Sequence, residues 1–364
     1  GTKAKIFNDS RSVNAKRSGG PNGSITQSDK NDWNYSNTLT YSNLFNNVHK
    51  LDVLVGQEQL YSKSESFSAS SNRIPSSFSE DEKMFSLFSR ANYTYKGKYI
   101  LSASLRADGS SKFGSDNKYG YFPSGAFAWR VIEEEFMKKI PVVSDLKLRL
   151  SVGVAGNNRI PNYLSQALFQ SGYYPLNNEN VIAVGSRTLP NPDLKWEKTR
   201  TQNIGLDVGF FNQRIQLTVD AYDNRTSDLL LNADVPNLSG YSTMLINVGS
   251  TSNKGIEFTL NTINIKDAGG FSWNTTFNMG FNKNRVISLT SGNEFMYGAA
   301  SWGGLQEKDY IIRVGGAVGK MFGYQSNGLY QGNEFDFNPA TNAYTLKPGI
   351  PFDANNVPKP GFLK

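Results

Sequence analysis

Apolar and polar residues alternate along much of this chain, most cleanly from Phe85 to Phe113 (FSLFSRANYTYKGKYILSASLRADGSSKF). In the first run Leu87, Ala91, Tyr93 and Tyr95 fall on one face, and Phe88, Arg90, Asn92 and Thr94 on the other. In the second, Tyr99, Leu101, Ala103, Leu105 and Ala107 oppose Ile100, Ser102, Ser104, Arg106 and Asp108. Strand side chains point alternately to opposite faces, so the pattern predicts a β-hairpin with one apolar face that turns at Lys96-Gly97-Lys98. Gly97 supplies the backbone freedom of a tight turn. Both arms reach the roughly 9–11 residues of a membrane-spanning strand, against about 5–6 for an ordinary soluble one. The tyrosines flank the turn on the apolar face, where the aromatic girdle of a transmembrane barrel lies.

The same period recurs before and after this hairpin. Trp33, Tyr35, Leu39 and Tyr41 share a face, as do Leu51, Val53 and Val55 after the turn FNNVH. Phe127 and Trp129 follow. Leu146, Leu148, Leu150, Val152 and Val154 oppose Lys147, Arg149, Ser151 and Gly153. Trp196 to Phe210 predicts a strand that turns at Phe211-Asn212-Gln213 and returns through Ile215, Leu217, Val219 and Ala221. A last clear hairpin pairs Ile256, Phe258 and Leu260 with Trp273, Phe277, Met279 and Phe281. YIIRVGGAVGKMFGYQSNGLY reads as one more strand with a glycine-rich bend. EEEFMKKI, stopped by Pro141, reads as a short amphipathic turn.

The expectation is an all-β chain of about ten or eleven antiparallel strands. Residues 1–32 read as a polar loop or the remnant of a preceding strand, 33–330 as barrel strands, and 331–364 as a loop leading to further strands. Within the strand region Ser62–Glu82 reads as a long polar loop. Short turns at Asn46, Gly97 and Asn212 alternate with long loops around Ser70, Tyr173, Leu238 and Glu294. Short periplasmic turns and long external loops are the layout of an outer-membrane barrel. A soluble β-sandwich with a long hairpin is the alternative, and it gives no reason for loop lengths to segregate.

Composition narrows the function. Of 364 residues 38% are hydrophobic, and no apolar run approaches the roughly 18 residues of a membrane helix. A barrel fits that low average, because half of its strand residues face water. The absence of cysteine removes disulfides, zinc-thiolate sites and thiol nucleophiles together. His49 is the single histidine and reads as a solvated turn residue, so neither a His-rich metal site nor a Ser/His/Asp arrangement is credible. The net charge of +7 is spread without a block of five or six basic residues, which favours a solvated surface facing anionic lipid over nucleic acid. The opening Gly1-Thr2-Lys3 carries no apolar leader, so a processed start or a piece of a longer chain is expected.

Candidate sites follow from the polar faces and the loops. Arg90, Arg106, Asp108, Arg149, Asp207, Asp220 and Glu257 are candidate lumen-facing residues for a polar solute or an internal plug. Their plainer role is cross-strand pairing that stabilises the wall. Tyr173, Tyr174, Tyr297 and Trp302 are candidate external-loop residues for stacking on sugar rings or seating a partner, or for packing among themselves. Phe127, Trp129, Trp273 and Phe281 lie on apolar faces and read as lipid contacts. Glu133, Glu134 and Glu135 read as solvated turn charge rather than hydrolytic carboxylates. VGGAVGKM departs from the phosphate-loop pattern, with Val314 where the first glycine belongs and Met321 where Ser or Thr belongs. DGSSKFGSDN and SDKNDWN lack calcium-loop spacing, so no catalytic residue, cofactor or metal is expected.

Several longer stretches resemble SusC/RagA-type TonB-dependent outer-membrane transporters: FSRANYTYKGKYILSASLRADGSSKFG with YGYFPSGAFAWR, LKLRLSVGVAGNN, NPDLKWEKTRTQNIGLDVGFFNQRIQLTVDAYDNRTSDLLL, NVGSTSNKGIEFTL and MFGYQSNGLY. They run from about Trp33 to Tyr330 in the family's order. The resemblance implies a barrel closed around a plug, importing oligosaccharides or peptides. It also implies a SusD-type surface lipoprotein as lid and TonB as energy source through parts absent from this chain. No stretch matches the plug or the TonB-contact segment, and Lys364 stands where a barrel's last aromatic residue would be. The expectation is therefore a central segment of a larger, non-catalytic barrel in the bacterial outer membrane, without nucleic acid as partner. The alternative is a secreted or surface sandwich that binds glycans.

Overall fold

A computed structural model of the chain describes residues 1–9, 11–17, 22–70, 73–289, 294–298, 309–323, 326–352 and 358–362. It divides into two units, Gly1–Glu294 with Arg313–Val318, and Phe295–Ile312 with Gly319–Lys364.

The first unit starts with β1 (Thr2–Asn8) and one short helix, α1 (Val13–Arg17). β2 (Asn22–Phe45), β3 (His49–Ser70), β4 (Arg73–Tyr95), β5 (Tyr99–Ser110), β6 (Tyr119–Arg130) and β7 (Val143–Asn157) follow. A hairpin of β8 (Phe169–Leu176) and β9 (Glu179–Ser186) precedes β10 (Glu197–Phe210) and β11 (Ile215–Ser227). A second hairpin, β12 (Leu230–Asp234) and β13 (Thr243–Asn247), precedes β14 (Ser250–Ala268) and β15 (Phe271–Ser288). Eleven of these strands form one sheet in the order β1-β2-β3-β4-β5-β6-β7-β10-β11-β14-β15, each antiparallel to its neighbour in the chain's course. The second unit holds β16 (Phe295–Gly298), β17 (Tyr310–Arg313) and β18 (Lys320–Met321) in one small sheet, and the hairpin β19 (Phe335–Asn338)–β20 (Ala343–Leu346). No described helix is long and apolar enough to cross a membrane.

Register explains the alternation. Residues directly opposite each other in antiparallel strands share a face. One row runs Asn43, Leu51, Tyr93, Leu101, Phe127, Leu150, Ile204, Ala221, Ile256, Phe281 across ten strands. The row one residue away runs Ser42, Asp52, Asn92, Ser102, Ala126, Ser151, Asn203, Tyr222, Gly255, Asn282. The register thus gathers most of the large apolar side chains of the ten strands on one side of the wall and most of the charges on the other. That face is uncovered, with Leu39 71%, Leu101 54% and Phe281 58% exposed. A sandwich would bury such a face under a second sheet; a barrel turns it to lipid.

The turn ends of the strands are short. Residues 46–48, 96–98 and 211–214 close β2–β3, β4–β5 and β10–β11, and Gly97 adopts φ +67° as its turn requires. Between β6 and β7, where a short amphipathic turn is expected, residues 131–142 carry two single 3-10 turns, Val131–Glu133 and Met137–Lys139.

Three expectations differ from the structure. Ser62–Glu82, expected as a polar loop, is strand: β3 and β4 continue pairing as far as Ser70 and Arg73. The polar start, for which a loop is one of two expectations, likewise carries β1 and nearly the first half of β2. These stretches have water on both faces, so their ladder of backbone hydrogen bonds leaves no hydrophobic alternation to read. The stretch from Tyr310 is two short strands, β17 and β18, paired with each other and outside the large sheet. Its glycine-rich bend folds the chain back on itself before it gains spanning length.

Candidate functional site: the inner wall and its external rim

The polar face of the sheet carries two arginine-centred networks. Arg149 on β7 faces Gly205 on β10. Its Nε and Nη2 donate to Asp207 Oδ2 and Oδ1 at 2.8 and 2.9 Å. Its Nη1 and Nη2 donate to Asp220 Oδ1 and Oδ2 at 2.9 and 3.0 Å. Thr218 Oγ1 also donates to Asp207 at 3.1 Å, and Lys147 Nζ lies 3.9 Å away. A guanidinium can hold two carboxylates this way because its donors form a planar fork. Gly205 makes room: a Cβ there would stand 2.5 Å from Arg149 Cζ.

Arg106 on β5 anchors the second network. Its Nε donates to Asp108 Oδ1 at 2.7 Å, and its Nη2 to Glu58 Oε2 at 3.0 Å and to buried Ser86 Oγ at 2.8 Å. The guanidinium lies 5.4 Å from the ring centre of Phe88. That ring in turn lies over Gly56, directly across the strand pair, where a Cβ would meet it at 2.5 Å.

Of the seven residues expected in the lumen, Arg106, Asp108, Arg149, Asp207 and Asp220 are therefore engaged with each other or with Glu58. Arg90 and Glu257 lie on the same face and differ. Arg90 Nε donates only to Asn92 Oδ1, at 3.2 Å, and no carboxylate ion-pairs with it among the described residues. Glu257 stands opposite Asp220 and Gly280 without an ion-pair partner among the described residues.

The long loops are tied to the wall by a core that sequence reasoning missed. Phe113, Phe122, Ile160, Leu194 and Trp196 pack together, with Leu194 fully buried. Met84, Val154, Leu164, Leu230 and Leu245 close around them. Trp196 Nε1 donates to the Lys118 carbonyl at 2.9 Å, and Asn191 Nδ2 to the Leu245 carbonyl at 2.8 Å. The Tyr163 hydroxyl donates to Asp81 Oδ1 at 2.6 Å and accepts from the Asp81 backbone N–H at 2.7 Å. The readable signal was Leu194 and Trp196, two large apolar residues just ahead of β10.

The loop aromatics do not form one platform. Tyr173 and Tyr174 are both 58% exposed but, as neighbours on β8, point to opposite faces of the hairpin. Tyr297 belongs to the second unit, where its ring meets Phe295 and Phe322 at 5.3 and 4.9 Å. Trp302 lies outside the described residues.

At the turn end the lipid face ends in a belt of rings. His49, Tyr95, Tyr99 and Trp129 follow one another at 5.1, 6.4 and 6.3 Å. His49, expected as a solvated turn residue, opens β3 and shares an exposed 2.6 Å hydrogen bond between Nδ1 and the Tyr93 hydroxyl. Glu134, expected as solvated charge, is a clamp. It accepts from Lys98 Nζ at 2.9 Å, the Tyr99 hydroxyl at 2.7 Å and Trp129 Nε1 at 3.2 Å. Lys98 foremost, then Tyr99 and Trp129, pull its carboxyl from 4.5 down to about 2.

A wall with an apolar outer face, an aromatic belt at its turn end, and charge networks inside defines a transmembrane β-barrel segment. The comparisons give the family. Residues 3–358 match the family described as "TonB dependent receptor-like, beta-barrel", and the chain belongs to it. It is 38% identical over 275 residues to a TonB-dependent receptor of Formosa agariphila, covering 76% of this chain and 27% of that receptor. It is 32% identical over 346 residues to the TonB-dependent receptor SusC of Bacteroides thetaiotaomicron, covering 85% of this chain and 32% of SusC. The structure of the RagAB peptide transporter superposes with a TM-score of 0.77 at 25% identity, covering 92% of this chain and 38% of that one. The chain thus spans about a third or less of the curated relatives it matches. As a member of this family it is an outer-membrane protein, and its relatives are receptors and transporters rather than enzymes.

Proposed function

We propose that this chain is wall and external rim of an importer for oligosaccharides or peptides, acting by binding and gated passage without catalysis. The observation that carries the reading is the ten-strand register that puts lipid-compatible residues outside and linked charges inside. The likeness to the RagAB peptide transporter supports the peptide class, and the resemblance of the sequence to SusC/RagA-type transporters implies the oligosaccharide class. A SusD-like lipoprotein as lid, and the TonB complex as driver, are proposed on the same ground.

Within that reading the lumen residues divide. Arg106, Asp108, Arg149, Asp207 and Asp220 stiffen the wall; Arg90 and Glu257 present charge to a solute or plug. On the rim, Tyr173 and Tyr174 meet a partner or ligand from opposite faces of one hairpin, and Tyr297 serves through its ring cluster.

Deleting the gene in its native host and scoring growth on single oligosaccharides or peptides tests the proposal. Loss of growth on a member of one class, restored by the intact gene, supports it. Unchanged growth and uptake across both classes would overturn it.

A further inference from the structure

The outer face changes character along one line. On β2 it passes from Tyr35 and Trp33 to Asn31 and Asp29, and on β3 from Gln59 and Tyr61 to Lys63 and Glu65. On β4 it passes from Phe85 to Lys83 and Asp81. At that line lies a cleft of about 590 Å³ lined by Trp33, Tyr61, Lys83, Phe85, Lys118 and Tyr119.

The cleft is built by specific residues. Gly109 stands opposite Tyr119, and a Cβ there would come within 2.6 Å of the tyrosine ring, so glycine lets that ring lie across the strand. Trp33 and Tyr61 approach with ring centres 5.8 Å apart. Lys83 Nζ sits 5.6 Å from the Tyr61 ring centre and is shared with Asp81 at 2.9 Å. The carbonyl of Lys118 accepts from the buried Trp196 indole and from the Ser110 N–H, which fixes where its side chain emerges. No carboxylate ion-pairs with the Lys118 amine among the described residues.

Depth places the cleft. From Tyr99 in the turn-end belt to Gly109 is ten residues of β5. At about 3.4 Å per residue and a tilt near 40° that is about 25 Å of height, the thickness of a barrel's apolar band. The cleft therefore sits at the second interface, on the side of the long loops, in the external leaflet.

We propose that this cleft binds the phosphorylated sugar headgroup of an outer-leaflet glycolipid of lipid A chemistry. The occupant is a lipid because the cleft opens on the lipid face. It carries phosphate because two lysines, Lys83 and Lys118, line the cleft and Asp81 offsets only one of them. It carries sugar because three rings, Trp33 and Tyr119 exposed and Tyr61 half-buried, offer amphipathic stacking surfaces, and a glycerol headgroup fills only a fraction of the volume. Lys83 and Lys118 hold the phosphate, and Trp33, Tyr61 and Tyr119 pack on the sugar and the first acyl carbons. The inference rests on the wall being membrane-spanning, which the detergent dependence of the protein reports separately.

The test is native mass spectrometry of the full-length protein, extracted in detergent and stripped of lipid. It is titrated with bisphosphorylated lipid A, with dephosphorylated lipid A and with phosphatidylglycerol. Bisphosphorylated lipid A is expected to form adducts at about tenfold lower concentration than the other two, as charge-assisted phosphate contacts warrant. The double variant Lys83→Gln/Lys118→Gln is expected to lose that preference. Lys254→Gln, on the same face but bonded to Asp223 on β11, is expected to keep it. Retained mobility of unheated samples in gels establishes that each variant folds. Equal binding of all three lipids, an unchanged preference in the double variant, or the same loss with Lys254→Gln would each overturn the proposal.

Discussion

Arg149 works only because residue 205 has no side chain. Its guanidinium lies across Gly205 and holds Asp207 and Asp220 with four hydrogen bonds. Gly205→Ala places a methyl group inside that fork, and is expected to destabilise the folded barrel by about 1–3 kcal/mol in denaturant titrations, the usual cost of overpacking. Arg149→Lys keeps the charge but cannot span both carboxylates, so it should also lower the midpoint. Glu134 gives a pH prediction at the same scale. Its carboxyl is held at about 2 against an ordinary 4.5, so the unfolded chain binds the proton first as pH falls. The stabilisation is complete above about pH 5 and is lost as pH falls through about 2. Wild type should lose more stability over that window than Glu134→Gln, with the two curves parallel above it; parallel curves throughout would remove Glu134 from the belt. The sequence disclosed which face each charge occupies, since alternation fixes that. It did not disclose that Arg106 and Arg149 are ion-paired while Arg90 and Glu257 have no ion-pair partner among the described residues. Partners are set by register, and register is a relation between strands that one strand does not carry. For the same reason Glu134 looked solvated, because Lys98, Tyr99 and Trp129 reach it from another turn and two strand ends.

One residue of register separates lipid from lumen along each strand. Leu105 faces outward on β5 and is 50% exposed, while Ser104 faces inward and bonds Ser124 Oγ at 2.7 Å. Leu105→Arg is expected to cost roughly 2–4 kcal/mol at mid-membrane and to reduce the folded protein recovered from outer membranes. Ser104→Arg, one position away, should be recovered nearly as wild type. Equal recovery of both would mean that the outward face does not meet lipid. The spanning strands were legible because each has one apolar and one polar face, as from Leu146 to Val154. The extensions of β2, β3 and β4 were not, because serines and charges line both of their faces. Nor was the rim core, because Phe113, Ile160 and the pair Leu194 and Trp196 come from three separate connections with no period of their own. Trp196→Ala should release that rim. Limited proteolysis of intact cells is expected to cut within 158–196 faster, with the strands below still protected.

At the scale of the molecule the account is of a wall with two solvents. Eleven strands form a single sheet, and its outer face is continuous from β2 to β15. That continuity is what makes the chain membrane wall rather than half of a sandwich, and the import function is proposed on it. The most direct test uses the absence of cysteine from this chain. Single cysteines are placed at Leu101, Ser102, Ala103, Ser104, Leu105 and Arg106 in the full-length protein, with any cysteine outside this chain replaced by serine, and exposed to a water-soluble maleimide in outer membranes. The account predicts labelling at 102, 104 and 106, facing a water-filled lumen, and protection at 101, 103 and 105, facing lipid. Labelling without alternation, or with the opposite alternation, would contradict it.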